Sequence, residues 1–245
     1  MRNIKLTIEY DGKEYHGWQK QPNRPNIQGE IEKAIETITG EKVELIGSGR
    51  TDAGVHAFAQ VANFKIENNF PIEKMAIAIN SQLKKSIRIQ KAEEVSEEFH
   101  SRYHCHRKTY AYIIDNSEQG SAIYRNLTYH VPQTLDIEAM QKGVQLLVGE
   151  HDFSSFKSSG TSSKSSIRTI YEAKILKEQE RVVIQLTGNG FLYNMVRIIS
   201  GTLLEIGLGE KRPEEMKEIL EAKDRQKAGK TLPAHGLFLM NVEYE

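Results

Sequence analysis

Apolar residues recur at two spacings along the first hundred residues. Residues 4–8 alternate isoleucine or leucine with polar neighbours, which is typical of a half-buried strand. From Ile27 to Ile38 the apolar residues follow helical spacing, and Asn26 and Gly40 suit the two ends of that helix. The next predicted elements are a strand at about Val55–Ile66, a helix opening at Pro71 and a strand that contains Ile87 and Ile89.

The second half repeats this mixture of strands and helices. A Ser-rich stretch, Ser154–Ser166, predicts a mobile loop within it. The whole pattern predicts an α+β fold of two similar subdomains, residues 1–99 and 100–245. The predicted elements of this half are strands at Thr109–Ile114, Ile167–Leu176, Val182–Thr187 and Leu237–Val242, and helices at Ile137–Val148, at Phe191–Ile206 and from Pro213.

Composition excludes several classes of protein. Of the 245 residues, 38% are hydrophobic and 27% are charged, as in ordinary globular proteins. Basic and acidic residues number 33 each, so a strongly basic or acidic tail is excluded. Cys105 is the single cysteine, which rules out an internal disulfide and favours a reducing compartment. The N-terminus lacks the apolar core of a signal peptide. No uncharged apolar run reaches a length of about 18 residues, which a membrane-spanning helix needs. We therefore expect a cytoplasmic protein.

Positive charge is nevertheless concentrated in two segments that contain no acid. They are His100–Lys108 and Phe153–Tyr171. This separation of basic from acidic residues predicts a basic groove that binds a polyanion. The alternative is that these residues lie on ordinary solvated surfaces, because charge clusters of this size are common on soluble proteins. The basic side chains concerned are Arg102, Arg107, Lys108, Lys157, Lys164 and Arg168.

The glycine-rich segment Gly47–Gly54 is the most informative local feature. Its sequence is GSGRTDAG, and Asp52 stands where a dinucleotide fingerprint needs a third glycine. We expect Arg50 and Asp52 to lie in a flexible loop. The neighbouring guanidinium favours the ionised carboxylate, which can then act as a nucleophile or base. The alternative is an aspartate that only stabilises a turn.

Tyr110 and Arg197 are further candidates. Tyr110 stands in the middle of a predicted strand after two basic residues, which suits stacking on an unpaired base, although a core tyrosine is the alternative. Arg197 is predicted to lie opposite the apolar stripe of its helix, on a face with Tyr193, Gly201 and Leu204. Its side chain can therefore point into a site or extend to solvent.

A cluster of histidines around Cys105 raises the hypothesis of a zinc site. The spacing matches no common structural zinc motif, and no second pair of ligands completes it. The cluster is interpreted more simply as part of the basic segment. Its members are His100, His104, Cys105 and His106.

Several motifs, taken together, resemble the TruA-type tRNA pseudouridine synthase family. The most informative is Gly49-Arg-Thr-Asp-Ala-Gly-Val-His-Ala57. One departure is Ala234-His235, where many members carry proline before the Gly-Leu pair. The other matching motifs, in the family's order, are Tyr10-Asp-Gly, His16-Gly-Trp-Gln, Gly149-Glu-His-Asp-Phe-Ser-Ser-Phe156, Gly190-Phe-Leu-Tyr-Asn-Met-Val-Arg197 and Gly236-Leu-Phe-Leu239.

The resemblance implies a function and a division of roles. Asp52 would be the nucleophile, and Arg197 would keep its carboxylate ionised and aimed. Tyr110 would stack on the target uracil, Leu237 would form a wall of the pocket, and Arg50 would contact RNA nearby. The implied fold is two RRM-like, ferredoxin-like subdomains around a central antiparallel sheet. The implied enzyme is a homodimer that needs no cofactor and no metal and isomerises uridines 38, 39 and 40 of the tRNA anticodon arm.

Two other functions remain as alternatives. A noncatalytic RNA-binding protein made of RRM-like halves would tolerate loss of the Asp52 carboxylate. A zinc-dependent hydrolase would use the histidine cluster and would purify with stoichiometric metal.

Overall fold

The predicted alternation of strands and helices is present throughout the chain. The computed structural model describes residues 1–160 and 165–244. Within those ranges the elements run in the order β1 (Arg2–Tyr10), α1 (Ile27–Thr39), β2 (Ile46–Gly47), β3 (His56–Ile66), α2 (Ile72–Gln82), β4 (Ile87–Val95), β5 (Cys105–Asp115), β6 (Tyr129–His130), α3 (Ile137–Gln145), β7 (Gly149–Asp152), β8 (Ile167–Glu178), β9 (Arg181–Gly188), α4 (Met195–Gly207), α5 (Glu215–Ala222) and β10 (Leu237–Tyr244).

These elements divide into two compact units. One consists of Met1–His106 with Phe238–Glu245, and the other is Arg107–Leu237. Both units mix helices with a mostly antiparallel sheet, which confirms the predicted α+β class. The predicted division of the chain between residues 99 and 100 stays a prediction.

In the first unit the strands lie in the order β4-β1-β3-β10, with β2 paired to β3. Strand β1 runs antiparallel to both β3 and β4, whereas β10 runs parallel to β3. Helix α1 is capped as predicted, because the Asn26 side chain accepts from the Gly29 N–H and Gly40 ends the helix with φ 78°. Helix α1 packs on α2, and α2 packs on β4. The core of this unit therefore lies between the helices and the sheet.

In the second unit the strands lie in the order β5-β9-β8-β7, with β6 paired to β5. The predicted pairing of the strands now labelled β8 and β9 is confirmed, and it is antiparallel. Helix α3 packs on β8 and on α4. Among the described residues, no helix is both long enough and apolar enough to span a membrane.

The predicted course of helix α4 was wrong in two respects. The helix begins at Met195 instead of Phe191, because Asn194 adopts a left-handed conformation with φ 60° that a helix cannot contain. Tyr193 therefore does not share a helical face with Arg197. The predicted one-sided apolar stripe is also wrong, since Gly201 and Leu204 are buried together with nearly all of the helix.

The predicted mobile loop over Ser154–Ser166 was wrong at its start. Ser154–Phe156 form a 3₁₀ turn, and Ser155 and Phe156 are fully buried. The Ser155 hydroxyl donates to the Ile219 carbonyl at 2.5 Å, which ties this turn to helix α5. Residues 161–164 of the predicted loop lie outside the described residues.

Candidate active site

Asp52 lies in the connection between β2 and the long strand β3 of the first unit. Its side chain is half-buried, whereas Arg50 is exposed. The main chain on both sides is hydrogen-bonded: the Ser48 N–H donates to the Val61 carbonyl at 2.7 Å, and the Val55 N–H donates to the Asp52 carbonyl at 3.1 Å. The prediction of a flexible loop was therefore wrong, because the backbone of this segment is paired with its surroundings.

Buried side chains also hold this loop. The Tyr10 hydroxyl and Thr51 Oγ1 lie 2.7 Å apart in a buried hydrogen bond. Gln60 on β3 accepts from the Ser48 hydroxyl at 2.6 Å and donates to the Gly49 carbonyl at 3.0 Å. Burial raises the pKa of Tyr10, so its hydroxyl stays protonated. The residues on the N-terminal side of Asp52 are thus fixed by strands β1 and β3.

A third contact comes from the segment that follows β1. The Trp18 N–H donates to the Thr51 carbonyl at 3.0 Å. Gly17 has φ +86°, and a Cβ there would lie 2.5 Å from the same carbonyl oxygen. In the sequence, Gly17 and Trp18 are visible only as part of a family motif; their contact with Thr51 joins residues far apart in the chain and has no local signal.

The first unit therefore presents a half-buried carboxylate on an immobile backbone. A group that is already held in position loses little freedom when it attacks a bound substrate, so less of the reaction barrier comes from ordering it. This arrangement favours the nucleophile hypothesis for Asp52 over an aspartate whose only role is in a turn.

The second unit holds Tyr110 and Leu237. Tyr110 lies on β5 opposite Leu186 of β9 and is only 8% exposed. Its ring meets Phe191 edge to face, with the ring centroids 5.1 Å apart. Leu237 is the first residue of β10 and is 6% exposed. Both side chains are therefore almost fully buried.

Arg197 lies in the first turn of α4 and is half-buried. Its Nε–H donates to the Leu232 carbonyl at 2.7 Å, and one terminal nitrogen donates to Asn194 Oδ1 at 2.8 Å. These two bonds fix the plane of the guanidinium, so the side chain is held and does not extend freely into solvent. Asn194 and Leu232 were not singled out from the sequence.

The structure brings two of the predicted basic residues together. The Lys157 ammonium donates to the Ser166 hydroxyl at 2.6 Å, and the Arg168 guanidinium donates to the Ser165 carbonyl at 3.0 Å. Partial burial lowers the pKa of Arg168, which nevertheless stays charged at neutral pH. Two positive charges therefore contact adjacent residues, one at the Ser166 hydroxyl and one at the Ser165 carbonyl.

The other predicted basic residues are placed differently. The Arg107 guanidinium lies over the Tyr171 ring, 4.8 Å from its centroid. Lys108 is half-buried, and Arg102 is exposed. Lys164 lies outside the described residues. In residues 1–160 and 165–244, no three His, Cys, Asp or Glu side chains are grouped in a way that could hold a metal ion.

The fold and these residues define a class of protein. It is a mixed α+β protein with mostly antiparallel sheets and an aspartate on a fixed loop, and its sequence contains no nucleotide-binding or zinc-protease motif.

Comparison with known proteins places the chain within this class. The family model described as tRNA pseudouridine synthase matches residues 6–104 and 144–245. The tRNA pseudouridine synthase A of Caldicellulosiruptor saccharolyticus is 53% identical over 100% of both chains, and that of Acetivibrio thermocellus is 50% identical over 100% of both. The chain belongs to the tRNA pseudouridine synthase family.

A solved structure is also similar, at a more distant level. It is the archaeal box H/ACA sRNP Nop10–Cbf5 complex, with a TM-score of 0.38 and 12% sequence identity. The match covers 82% of this chain and 44% of that chain.

Proposed function

We propose that the chain is a tRNA pseudouridine synthase that converts uridine to pseudouridine at positions 38, 39 and 40 of the anticodon stem and loop. The reaction breaks the N1–C1′ bond, turns the uracil and joins C5 to C1′. The proton lost from C5 is balanced by one gained at N1, so nothing is oxidised and no group is imported. The observation that carries the proposal is the half-buried Asp52 on its hydrogen-bonded loop.

The proposal gives each candidate residue a role. Asp52 is the nucleophile, and Arg197 keeps that carboxylate ionised, since a positive charge favours the charged form of an acid. Tyr110 stacks on the uracil, Leu237 packs against it, and Arg50 contacts RNA near the flipped nucleotide. The fixed guanidinium plane of Arg197 and the small exposed fraction of Tyr110 support these roles.

Phosphate contacts are assigned to basic residues of the second unit. Proteins bind RNA largely through its backbone and shape, so charge next to the site sets affinity. The contacts of Lys157 and Arg168 with the adjacent residues Ser166 and Ser165 support a shared phosphate-binding surface. The proposed residues are Arg107, Lys108, Lys157, Lys164 and Arg168.

We also propose that the enzyme works as a cytoplasmic homodimer, as the family resemblance implies. Sedimentation equilibrium should give a mass of twice 27.9 kDa. A monomer at micromolar concentration would contradict the dimer and leave the catalytic proposal unaffected.

Tritium release tests the catalytic proposal. Unmodified tRNA labelled at uridine C5 is incubated with the wild-type protein and with Asp52→Asn, without added metal or nucleotide. We expect release by the wild type and a loss of at least about a thousandfold in Asp52→Asn, because an amide is a far poorer nucleophile than a carboxylate.

Glu221→Gln is the matched control. It makes the same chemical change at a carboxylate of helix α5 that pairs with Lys217 on the surface. It should release tritium at the wild-type rate. Binding of tRNA without release by the wild type would favour the noncatalytic RNA-binding alternative, and equal release by Asp52→Asn would remove Asp52 from the mechanism.

A further inference from the structure

A cavity of about 570 Å³ lies within the second unit, and the proposed roles do not use it. This volume is within the range of small-molecule sites. Most of its lining comes from residues 119–130, between strands β5 and β6 and within β6 itself, and the rest comes from Asp115 and His235. The cavity is therefore built largely by one segment folded over the end of β5.

One wall of the cavity is aromatic and has a positive charge beside it. The Tyr129 ring has the Lys230 ammonium 5.9 Å from its centroid, and its centroid lies 6.5 Å from that of the His235 ring. Burial, together with the charge of Arg197, lowers the pKa of His235, so this imidazole is neutral near pH 7. A planar base can stack on such rings.

The polar groups of the cavity are of two kinds. Asp115 is 6% exposed, and its Oδ1 accepts from the N–H and hydroxyl of Ser117, which orders the start of the segment. Arg125 and His130 are exposed side chains of the same lining. The His130 Nε2 already lies 2.9 Å from the Ser117 carbonyl oxygen, so Arg125 is the group that suits a phosphate. A carboxylate accepts from the N–H groups of a base. The cavity thus complements both parts of a nucleotide.

The position of the segment in the chain points to substrate recognition. Residues 119–130 lie in the interval 105–143, which the family model does not match. His235, in contrast, stands two residues before Leu237, which is proposed to pack on the target uracil. Tyr110, which is proposed to stack on the target uracil, lies in the same interval and on the same strand as Asp115. Because lining residues lie within a few positions of both proposed uracil-binding residues, the cavity is suited to binding a nucleotide next to the target.

We propose that this cavity binds a second nucleotide of the RNA substrate, one that neighbours the target uridine. Its base stacks on Tyr129, and its phosphate lies at Arg125. This inference rests on the proposed function, since it names a further part of the same substrate.

The test measures the affinity of an anticodon stem-loop by fluorescence anisotropy. Tyr129→Ala should weaken binding about tenfold, which corresponds to one base-stacking contact, and Tyr129→Phe should restore it. Arg125→Ala changes an exposed side chain, so folding is preserved, and it should reduce the salt dependence of binding by about one ion. Tyr124→Ala is the control, because Tyr124 belongs to the same segment but lies outside the lining.

Abasic substrates identify the source of the nucleotide. Removing the base on one side of the target should weaken wild-type binding about tenfold and cause no further loss in Tyr129→Ala. Independent losses at both neighbouring positions, or unchanged affinity in both Tyr129→Ala and Arg125→Ala, would overturn the proposal.

Free uridine and adenosine 5′-monophosphates are added as competitors. Competition that depends on Tyr129, without any abasic effect, would assign the cavity to a free nucleotide and overturn the RNA assignment. Tritium release by the wild type is recorded in parallel. Because affinity and release are separate measurements, failure of the cavity proposal and failure of the catalytic proposal are distinguishable.

Discussion

Tyr10 acts on the candidate nucleophile through Thr51. Its ring is 3% exposed, and its hydroxyl lies 2.7 Å from Thr51 Oγ1, one residue before Asp52. Loss of this hydroxyl would leave a buried Thr51 oxygen without its hydrogen-bond partner, which costs about 1–3 kcal/mol. Tyr10 is therefore a positioning residue for the Asp52 loop.

Tyr10→Phe should lower kcat about tenfold and leave KM for tRNA within about twofold, because misplacing a reacting group affects the chemical step more than binding. Steady-state tritium release measures both constants. Tyr15→Phe is the control, since the Tyr15 hydroxyl bonds to Ser86 at 2.9 Å and only its main-chain carbonyl, which the substitution keeps, contacts the Asp52 loop at Gly54. Equal kcat losses in the two variants would mean that the effect is one of general stability.

Helix α4 and the segment before β10 pack closely enough to fix Arg197. A Cβ at Gly201 would lie 1.9 Å from the Lys230 carbonyl oxygen, and the Gly229 N–H donates to Thr202 Oγ1 at 2.9 Å. The chain that follows this contact contains Leu232, and the Leu232 carbonyl accepts a hydrogen bond from Arg197. The absence of a side chain at Gly201 therefore supports the geometry of Arg197.

Gly201→Ala should destabilise the protein by about 1–3 kcal/mol, because the added methyl group must displace a backbone segment. Catalysis should fall more than the folded fraction explains, since the Leu232 carbonyl moves as well. Thermal unfolding and tritium release give the two quantities. Lys142→Ala, on the exposed side of α3, should change neither, and a Gly201→Ala protein with wild-type stability would contradict the packing argument.

The turn after β7 gives the second unit a dependence on pH. The Asp152 carboxylate accepts from the Ser154 N–H and hydroxyl and pairs with Lys223 at 3.1 Å. The Ser154 hydroxyl, above all, holds the pKa of Asp152 below its ordinary value of 3.8. A lowered pKa contributes stability above about pH 4 that is lost as the pH falls further.

Asp152→Asn should accordingly lower the melting temperature at pH 7 and lose less stability than the wild type between pH 5 and pH 3. Melting curves at half-unit steps of pH measure this difference. Ser154→Ala removes the hydroxyl that donates to Asp152 and should change the pH profile in the same direction as Asp152→Asn. Parallel curves for the wild type and Asp152→Asn would show that Asp152 contributes nothing to acid sensitivity.

The predictions from sequence succeeded where local pattern decides and failed where distant pairing decides. Alternation and capping residues gave β1 and α1, because burial and capping act within a few neighbouring residues. The apolar spacing of α4 continues back to Leu192, yet the Ser158 N–H bonds to the Tyr193 carbonyl at 3.1 Å and draws that segment out of the helix. The hydrogen bond between Ser158 and Tyr193 cannot be predicted from the local sequence around either residue.

The same limit applies to the candidate site. Asp52 and Arg197 lie in motifs that carry the family resemblance, whereas Tyr110 lies in none of them, and the roles of all three stay predictions. The hydrogen bonds that fix the Asp52 loop come from Tyr10, Trp18 and Gln60, which are brought to it only by the folding of β1 and β3. The prediction of a flexible loop failed for that reason.

At the scale of the whole molecule, electrostatic attraction to RNA depends on how charge is distributed. The formal net charge is zero, so the molecule as a whole exerts no net attraction on a polyanion. Lys157 and Arg107, which contact a hydroxyl and an aromatic ring respectively, are the local groups proposed to supply affinity for tRNA. Each such contact releases about one counterion when a phosphate is bound.

Lys157→Ala and Arg107→Ala should each reduce the slope of log Kd against log salt by about one, and the double variant by about two. Filter binding of tRNA between 50 and 300 mM salt measures the slope. Lys217→Ala removes a charge that pairs with Glu221 on helix α5, so its slope should equal that of the wild type. If all three variants changed the slope equally, general charge would account for the binding. If only the Lys157 and Arg107 variants reduce the salt slope, this molecule without net charge must bind RNA through a local basic surface.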